Sequence, residues 1–176
     1  MASTKNSYNV LLINPWIIDF KAFDLWLKPL GLLYLSEILK RNGIKTRLID
    51  CLDRNHPSVT EQKKLRKNKT GKYHYEIINK PVVYNKIERN FKRYGIPLKG
   101  FEEELTKCTE PDLVFVTCTM TYWYLGAHLA IQKAKEYFPS VPVILGGIYP
   151  RLCPDFARTY SGAHRVFTGS SISHLV

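Results

Sequence analysis

Hydrophobic and polar positions along the chain fall into two alternating kinds of segment. Short runs of β-branched and other apolar residues, bounded by turn residues, predict buried parallel strands. Between them, apolar residues recur at helical spacing, as with Leu32, Leu35 and Leu39 before the helix-ending Gly43. The pattern predicts strands at residues 8–14, 44–50, 112–118, 141–145 and 164–168, and helices at residues 30–42, 101–107, 126–138 and 154–160.

This alternation is typical of the α/β class. Five strands joined by crossover helices predict a flavodoxin-like, doubly wound parallel sheet with strand order 2-1-3-4-5. In that order, a ligand crevice opens beside strands one and three, at the carboxyl ends of the strands. The 176 residues suit one domain spanning residues 1–176.

Positive charge is concentrated in an insertion after strand two. Residues 54–100 hold 13 Lys or Arg and 3 Glu, a net charge of +10 out of +11 for the whole chain. Such a segment is either a solvated surface excursion or a patch that attracts nucleic acid, a phosphorylated substrate or a membrane surface. The sequence leaves the structure of the insertion open, between a small helical cap over the ligand and a mobile segment.

The remaining composition indicates a cytoplasmic protein. No apolar stretch approaches the ~20 residues that span a bilayer, and the polar amino terminus lacks a signal-peptide core. We therefore expect no membrane partner. The four cysteines, Cys51, Cys108, Cys118 and Cys153, have no zinc or iron–sulfur spacing, so we expect reduced thiols rather than metal ligands.

Candidate binding residues follow four of the predicted strands, and no candidate catalytic or metal-binding residue stands out. Glycines and hydroxyl groups there allow a bulky ligand to approach the backbone, while aromatic residues offer flat faces. A Gly-Gly pair can also be an ordinary tight turn, and aromatic residues can be packing. No dinucleotide or ATP-binding glycine motif is present. The candidates are Asn14, Pro15 and Trp16; Thr117, Thr119, Met120, Thr121 and Tyr122; Gly146, Gly147 and Tyr149; and Gly169 with the two serines that follow it.

Several sequence blocks, in order, resemble the N-terminal cobalamin-binding domain of cobalamin-dependent radical SAM proteins. They include Asn14-Pro-Trp, Lys28-Pro-Leu-Gly-Leu-Leu-Tyr, Leu48-Ile-Asp-Cys-Leu-Asp, Met120-Thr-Tyr-Trp-Tyr and Val143-Ile-Leu-Gly-Gly-Ile-Tyr. The resemblance extends from about Tyr8 to Gly169 and includes Arg93-Tyr-Gly-Ile-Pro in the insertion. It implies a corrin over the strand carboxyl ends and a nucleotide tail beside the sheet.

The resemblance also implies roles for particular positions. Thr117, Thr119, Met120 and Thr121 after strand three, and Gly146, Gly147 and Tyr149 after strand four, would frame the tail slot, with Gly169 beside them. Gly147 is expected to lack a Cβ because the tail approaches it closely. Asn14, Pro15, Trp16 and Asp50 belong to matching blocks at the ends of strands one and two.

The sequence departs from the better-known cobalamin domains in one pattern. Those domains carry D-x-H-x-x-G, whose histidine binds cobalt from below, whereas neither Asp50 nor Asp53 has a histidine two residues later. The resemblance is therefore to the branch without a histidine ligand. We expect the lower face to be open or covered by a side chain such as Trp16 or Tyr122. The acidic run common after strand five is replaced here by Gly169-Ser-Ser-Ile-Ser.

Three function classes follow. The first is a cobalamin-binding domain of a radical SAM enzyme, for which the family suggests methyl transfer. The SAM and [4Fe-4S] cluster of such an enzyme belong to a downstream barrel. The motif CxxxCxxC of that barrel is absent from these 176 residues, which is expected of an excised domain. The second class is a flavodoxin-like module that binds flavin or a nucleotide. The third is an interaction module whose basic insertion docks nucleic acid or an acidic partner.

Overall fold

A computed structural model describes residues 8–25, 27–60, 67–68 and 70–169. Its strands are β1 (Asn9–Asn14), β2 (Ile17–Asp19), β3 (Lys45–Asp50), β4 (Tyr75–Ile78), β5 (Phe91–Tyr94), β6 (Leu113–Cys118), β7 (Val143–Gly147) and β8 (Arg165–Val166). Its α-helices are α1 (Leu30–Arg41), α2 (Leu98–Thr106), α3 (Tyr124–Tyr137), α4 (Ile148–Leu152) and α5 (Pro154–Tyr160).

Five strands form one parallel sheet, which confirms the predicted α/β class. The spatial order is β3-β1-β6-β7-β8, and every neighbouring pair is parallel. The labels β1 to β8 count every strand of the chain, whereas the predicted order 2-1-3-4-5 counts only the strands of the parallel sheet. The two numberings differ because β2, β4 and β5 lie in another sheet. Counted within this sheet alone, the strands follow each other as 2-1-3-4-5. The order reverses between β1 and β6, where doubly wound sheets bind ligands.

The two faces of the parallel sheet are packed by different helices. On one face, α1 places Leu32, Leu35 and Leu39 against Val10 and Leu12 of β1. Residues from α2, α3, α4 and α5 join a larger core on the opposite face, together with alternate residues of the strands. Alternate residues of each strand belong to opposite cores because successive side chains of a strand point to opposite faces of the sheet.

The described part of the insertion contributes two strands to a small sheet, an arrangement that the sequence left open. β4 and β5 pair with β2 in a three-stranded antiparallel sheet of order β2-β5-β4. The Arg54 guanidinium lies 2.8 Å from the Asp24 carboxylate, and Asp24 also pairs with Gly71 through the backbone. Residues 61–66 and 69 of the insertion lie outside the described residues.

Several element boundaries differ from the predicted ones for local reasons. A 3₁₀ turn at Thr121–Trp123 leads into α3, which therefore begins before Gly126. Pro97 precedes the first residue of α2, a position where its fixed φ suits a helix start. β7 extends through Gly147 and is followed by the unpredicted α4. Within the described residues, no helix is both long and apolar enough to span a membrane.

Candidate functional site

Backbone register brings five residues into one row across the carboxyl edge of the parallel sheet. Asn14 pairs with Asp50, and Thr117 pairs with Gly146. The Ile13–Val116 pair places Thr117 beside Asn14, and the Leu145–Val166 pair places Phe167 beside Gly146. We call this set the rim row, and it consists of Asp50, Asn14, Thr117, Gly146 and Phe167.

The rim row faces the α1 side of the sheet. The residue before each of its members, such as Ile13, Val116 and Leu145, lies in or against the core on the opposite face. Because side chains alternate along a strand, the rim row must point the other way. Phe167 accordingly packs against the α1-side core. Four of its five members were predicted site residues, so the sequence identified most of this row.

Asp50 and Asn14 form a polar pair at one end of the row. The Asn14 amide donates to Asp50 Oδ1 at 2.7 Å, and the Leu52 N–H donates to the same oxygen at 3.0 Å. Burial raises the pKa of Asp50, while these two hydrogen bonds and the positive charge of Lys28 oppose that rise. The carboxyl group therefore holds its proton to a higher pH than a free aspartic acid does.

The two glycines that end β7 have opposite surroundings. Among the described residues, and apart from its two chain neighbours, no atom lies within 4 Å of where a Cβ on Gly146 would stand, so this part of the structure leaves the rim row open at Gly146. A Cβ on Gly147 would stand 2.5 Å from the Cys118 carbonyl oxygen, and Gly147 has φ of 101°. The close approach of a ligand, predicted as the reason for Gly147, is not needed to explain this glycine. Glycine is needed there by the protein's own backbone.

The segment after β6 presents exposed side chains at the same edge. Tyr122 is 56% exposed and Met120 is also exposed, while Thr119 and Thr121 are half-buried. Trp123 holds this segment in place, because its indole N–H donates to Asp19 Oδ2 at 3.3 Å. Leu30 at the start of α1 and Ile148 at the start of α4 are exposed as well. The rim row is therefore bordered by exposed apolar side chains.

Two predicted site residues, Pro15 and Trp16, do not belong to this surface. Pro15 is buried, and Trp16 is 1% exposed, with its indole N–H donating to the Ile96 carbonyl oxygen at 2.7 Å. Trp16 packs on Phe101 with ring centroids 4.7 Å apart. It cannot cover a ligand from below, so that expectation is wrong for Trp16. Tyr122 keeps an exposed ring.

Tyr149 lies in the core on the face opposite the rim row. It is 1% exposed, and its hydroxyl lies 3.1 Å from His128 Nε2. Burial lowers the pKa of His128 to about 4, which keeps this imidazole neutral near pH 7. Tyr149 is therefore a core residue, whereas Thr117 and Gly146, which were predicted beside it in the tail slot, lie in the rim row. We call the face covered by α2, α3, α4 and α5 the closed face.

Phe167, next to Gly169 in space, is a rim-row residue that the sequence analysis did not predict. A Cβ on Gly169 would stand 2.8 Å from the Phe167 ring, so Gly169 lies against that ring. Phe167 itself was not predicted as a site residue. Period-two alternation in strand five, with Val166 on the closed face, is the signal that identifies it. Residues 170–171, named with Gly169 as candidates, lie outside the described residues.

Three described histidines make contacts outside the rim row, and Cys51 and Cys118, which follow rim-row residues in the chain, are buried in the core on the opposite face. His56 Nδ1 contacts Ser58, His128 contacts Tyr149, and His164 Nδ1 accepts from the Val143 N–H. All four cysteines are unpaired, as predicted. Burial raises the pKa of Cys51, Cys108 and Cys118, so these thiols are not reactive thiolates at neutral pH.

No family model matches the chain, and no curated protein matches it. Among solved structures, the chain is similar to one described as a novel cobalamin-binding protein from Desulfitobacterium hafniense DCB-2. The TM-score is 0.50 and the sequence identity is 11%. The similarity covers 92% of this chain and 53% of that chain, so this chain spans about half the length of that protein. At this identity, the likeness concerns the fold.

Proposed function

We propose that this chain is a cobalamin-binding domain whose ligand lies on the rim row. The observation that carries the proposal is the open position at Gly146, within a row of polar and small residues at the strand carboxyl ends. The fold likeness to a cobalamin-binding protein and the ordered sequence blocks support the same ligand. A large flat ligand with amide arms and a nucleotide tail needs such a combination of open, apolar and polar surface.

The residues present fit that ligand in three places. Thr117, Gly146 and Phe167 offer a slot against the sheet for the planar base of the tail. Met120, Tyr122 and Ile148 offer exposed apolar contacts for the corrin. When bound, cobalamin supplies a cobalt centre that can carry a methyl group or take part in radical chemistry.

Polar groups at the other end of the row suit the remaining parts of the ligand. Asn14 and Asp50 can exchange hydrogen bonds with amide arms. At the start of α1, the Leu30 N–H donates to the Lys28 carbonyl oxygen at 2.8 Å, and no side chain caps the helix. The N–H groups of Gly31 and Leu32 can therefore donate to a phosphate beside Lys28.

We also propose that cobalt has no histidine ligand here. The absence of D-x-H-x-x-G and the engagement of His56, His128 and His164 elsewhere support this. Tyr122 is the exposed side chain best placed to shield the lower face. The electron paramagnetic resonance spectrum of Co(II)-loaded protein should lack nitrogen hyperfine splitting from imidazole, and its presence would contradict the proposal.

The wider enzyme is proposed from the sequence resemblance. In that setting, this domain holds cobalamin for a radical SAM barrel that contains SAM and a [4Fe-4S] cluster. Methyl transfer to carbon is the reaction class that the family suggests. The test is whether this domain co-purifies with a radical SAM barrel and whether the barrel's activity requires it. The activity of the barrel alone is the comparison.

Binding of cobalamin is tested by incubating the purified chain with hydroxocobalamin and measuring the visible absorption that remains after gel filtration. We expect about one corrinoid per chain. Gly146→Leu should reduce retention strongly, because its side chain fills the open position. Ser140→Leu, which adds the same side chain to an exposed turn, is the matched control. Undiminished retention by Gly146→Leu would contradict the proposal, and retention of FMN without any corrinoid would favour a flavin module.

A further inference from the structure

The small antiparallel sheet carries a second groove, separate from the rim row. Its volume is about 470 Å³, and it is bordered by Lys21, Lys72, Arg89 and Lys92. No acidic side chain is among its described lining. A concave surface of this size is within the range of ligand sites in proteins, which is about 300–1,000 Å³.

The positive charges of this groove are not neutralised by the acidic residues around it. Glu76 pairs with Arg93, and Asp24 pairs with Arg54. Across the described residues, Lys21, Lys72, Arg89 and Lys92 form no ion pair with a carboxylate. The groove therefore presents a positive potential to solvent, which attracts anionic ligands.

Aromatic rings line the same groove, and of its tyrosines Tyr75 is the one with an accessible ring, since Tyr73 is 1% and Tyr94 is 4% exposed. Tyr75 and Tyr94 face each other across β4 and β5, with ring centroids 5.7 Å apart. Lys92 Nζ lies 4.3 Å from the centroid of the Tyr75 ring. Cations beside aromatic faces bind the two parts of a single-stranded nucleic acid, because phosphates contact the cations and unpaired bases stack on the rings.

We propose that this groove binds single-stranded nucleic acid. A strand is favoured over a free nucleotide because further exposed cations, Lys67 and Lys86, lie close in the chain to the groove residues Lys72 and Arg89. A long anionic chain can contact more of that charge than one nucleotide can. This site is independent of cobalamin, so its test uses the chain without corrinoid.

The experiment measures fluorescence anisotropy of a labelled oligouridylate of about 12 nucleotides, titrated with the chain between about 50 and 200 mM salt. Lys21→Gln/Lys72→Gln removes two exposed groove cations, and Lys40→Gln/Lys45→Gln removes two exposed cations elsewhere. We expect the groove variant to lose about tenfold in affinity, with a salt dependence shallower by about 1.4 on the log–log slope. The control variant should bind nearly as the wild type does.

Tyr75→Leu separates stacking from charge. We expect it to weaken binding at least about fivefold while the slope of affinity against salt stays unchanged. Circular dichroism confirms that each variant is folded. The proposal is overturned if the wild type does not bind, if both double variants lose equal affinity, or if ATP binds as tightly as the oligonucleotide.

Discussion

The two faces of the parallel sheet differ in how completely they are covered. The face of α2, α3, α4 and α5 holds an extensive core that includes Phe101 and Ile131, both nearly inaccessible to solvent. The face of α1 holds a smaller core, and its carboxyl edge is open at Gly146. Adjacent glycines show the contrast, because Gly147 is enclosed by backbone and Gly146 is not. The closed face stabilises the fold, and the open face offers room for a ligand.

Substituting the two glycines should give opposite results. Gly147→Leu forces a side chain into the Cys118 backbone and strains a positive φ, so we expect a loss of about 3 kcal/mol or more in the free energy of unfolding. Gly146→Leu should lose less than about 1 kcal/mol, because its side chain enters open space. Urea unfolding followed by circular dichroism measures both. Equal losses would remove the distinction between the faces.

Truncating a core side chain should cost more stability on the closed face than on the α1 face. Phe101→Ala on the closed face should cost about 4 kcal/mol, because it leaves a cavity beside Trp16. Leu35→Ala on α1 should cost about 2 kcal/mol, since this side has room to relax. Urea unfolding gives both free-energy differences, provided that the two variants have the same m-value. A greater loss for Leu35→Ala would show that the α1 face carries more of the stability than its packing indicates.

The closed face should also make stability depend on pH through His128. Burial lowers its pKa to about 4 in the folded chain, below the ordinary 6.5, so the unfolded chain binds a proton more readily between these values. Stability is therefore full above pH 6.5 and falls as the pH drops towards 4. His128→Gln should flatten this part of the profile of urea midpoint against pH. An unchanged profile would assign the dependence to other groups.

A substitution on the exposed border should hardly change stability. Tyr122→Ala removes a ring that is 56% exposed, so the free energy of unfolding should stay within about 0.5 kcal/mol of the wild type. Affinity for hydroxocobalamin should fall several-fold if Tyr122 makes the proposed apolar contact with the corrin. Thermal unfolding and absorption titration provide the two measurements. A stability loss without an affinity loss would make Tyr122 a packing residue.

The sequence predicted the parallel sheet because its strands are apolar runs whose period is visible locally. It did not predict the antiparallel sheet, since β4 and β5 are short, rich in charge and pair with β2, which is far away in the chain. Trp16 was assigned to the ligand for a similar reason. Its burial depends on Gly126 of α3, where a Cβ would stand 1.9 Å from the Trp16 carbonyl oxygen. Such long-range contacts leave no local pattern.

The members of the rim row were predicted in part as candidates. Asn14, Asp50, Thr117 and Gly146 were identified because each ends a predicted strand, and strand register then places them in one row. The sequence did not indicate on which face of the sheet each candidate residue lies. A Gly-Gly pair gives no sign of which glycine faces a ligand, whereas the alternation through Leu145 assigns Gly146 to the open side.

The most direct test of the open face is a nuclear magnetic resonance titration of isotopically labelled chain with hydroxocobalamin. The largest changes in amide chemical shift should occur at Thr117, Gly146 and Phe167, while Ala130 and Ile131 in α3 stay unchanged. Changes confined to the α3 side, or none at saturating corrinoid, would contradict a ligand site on the rim row.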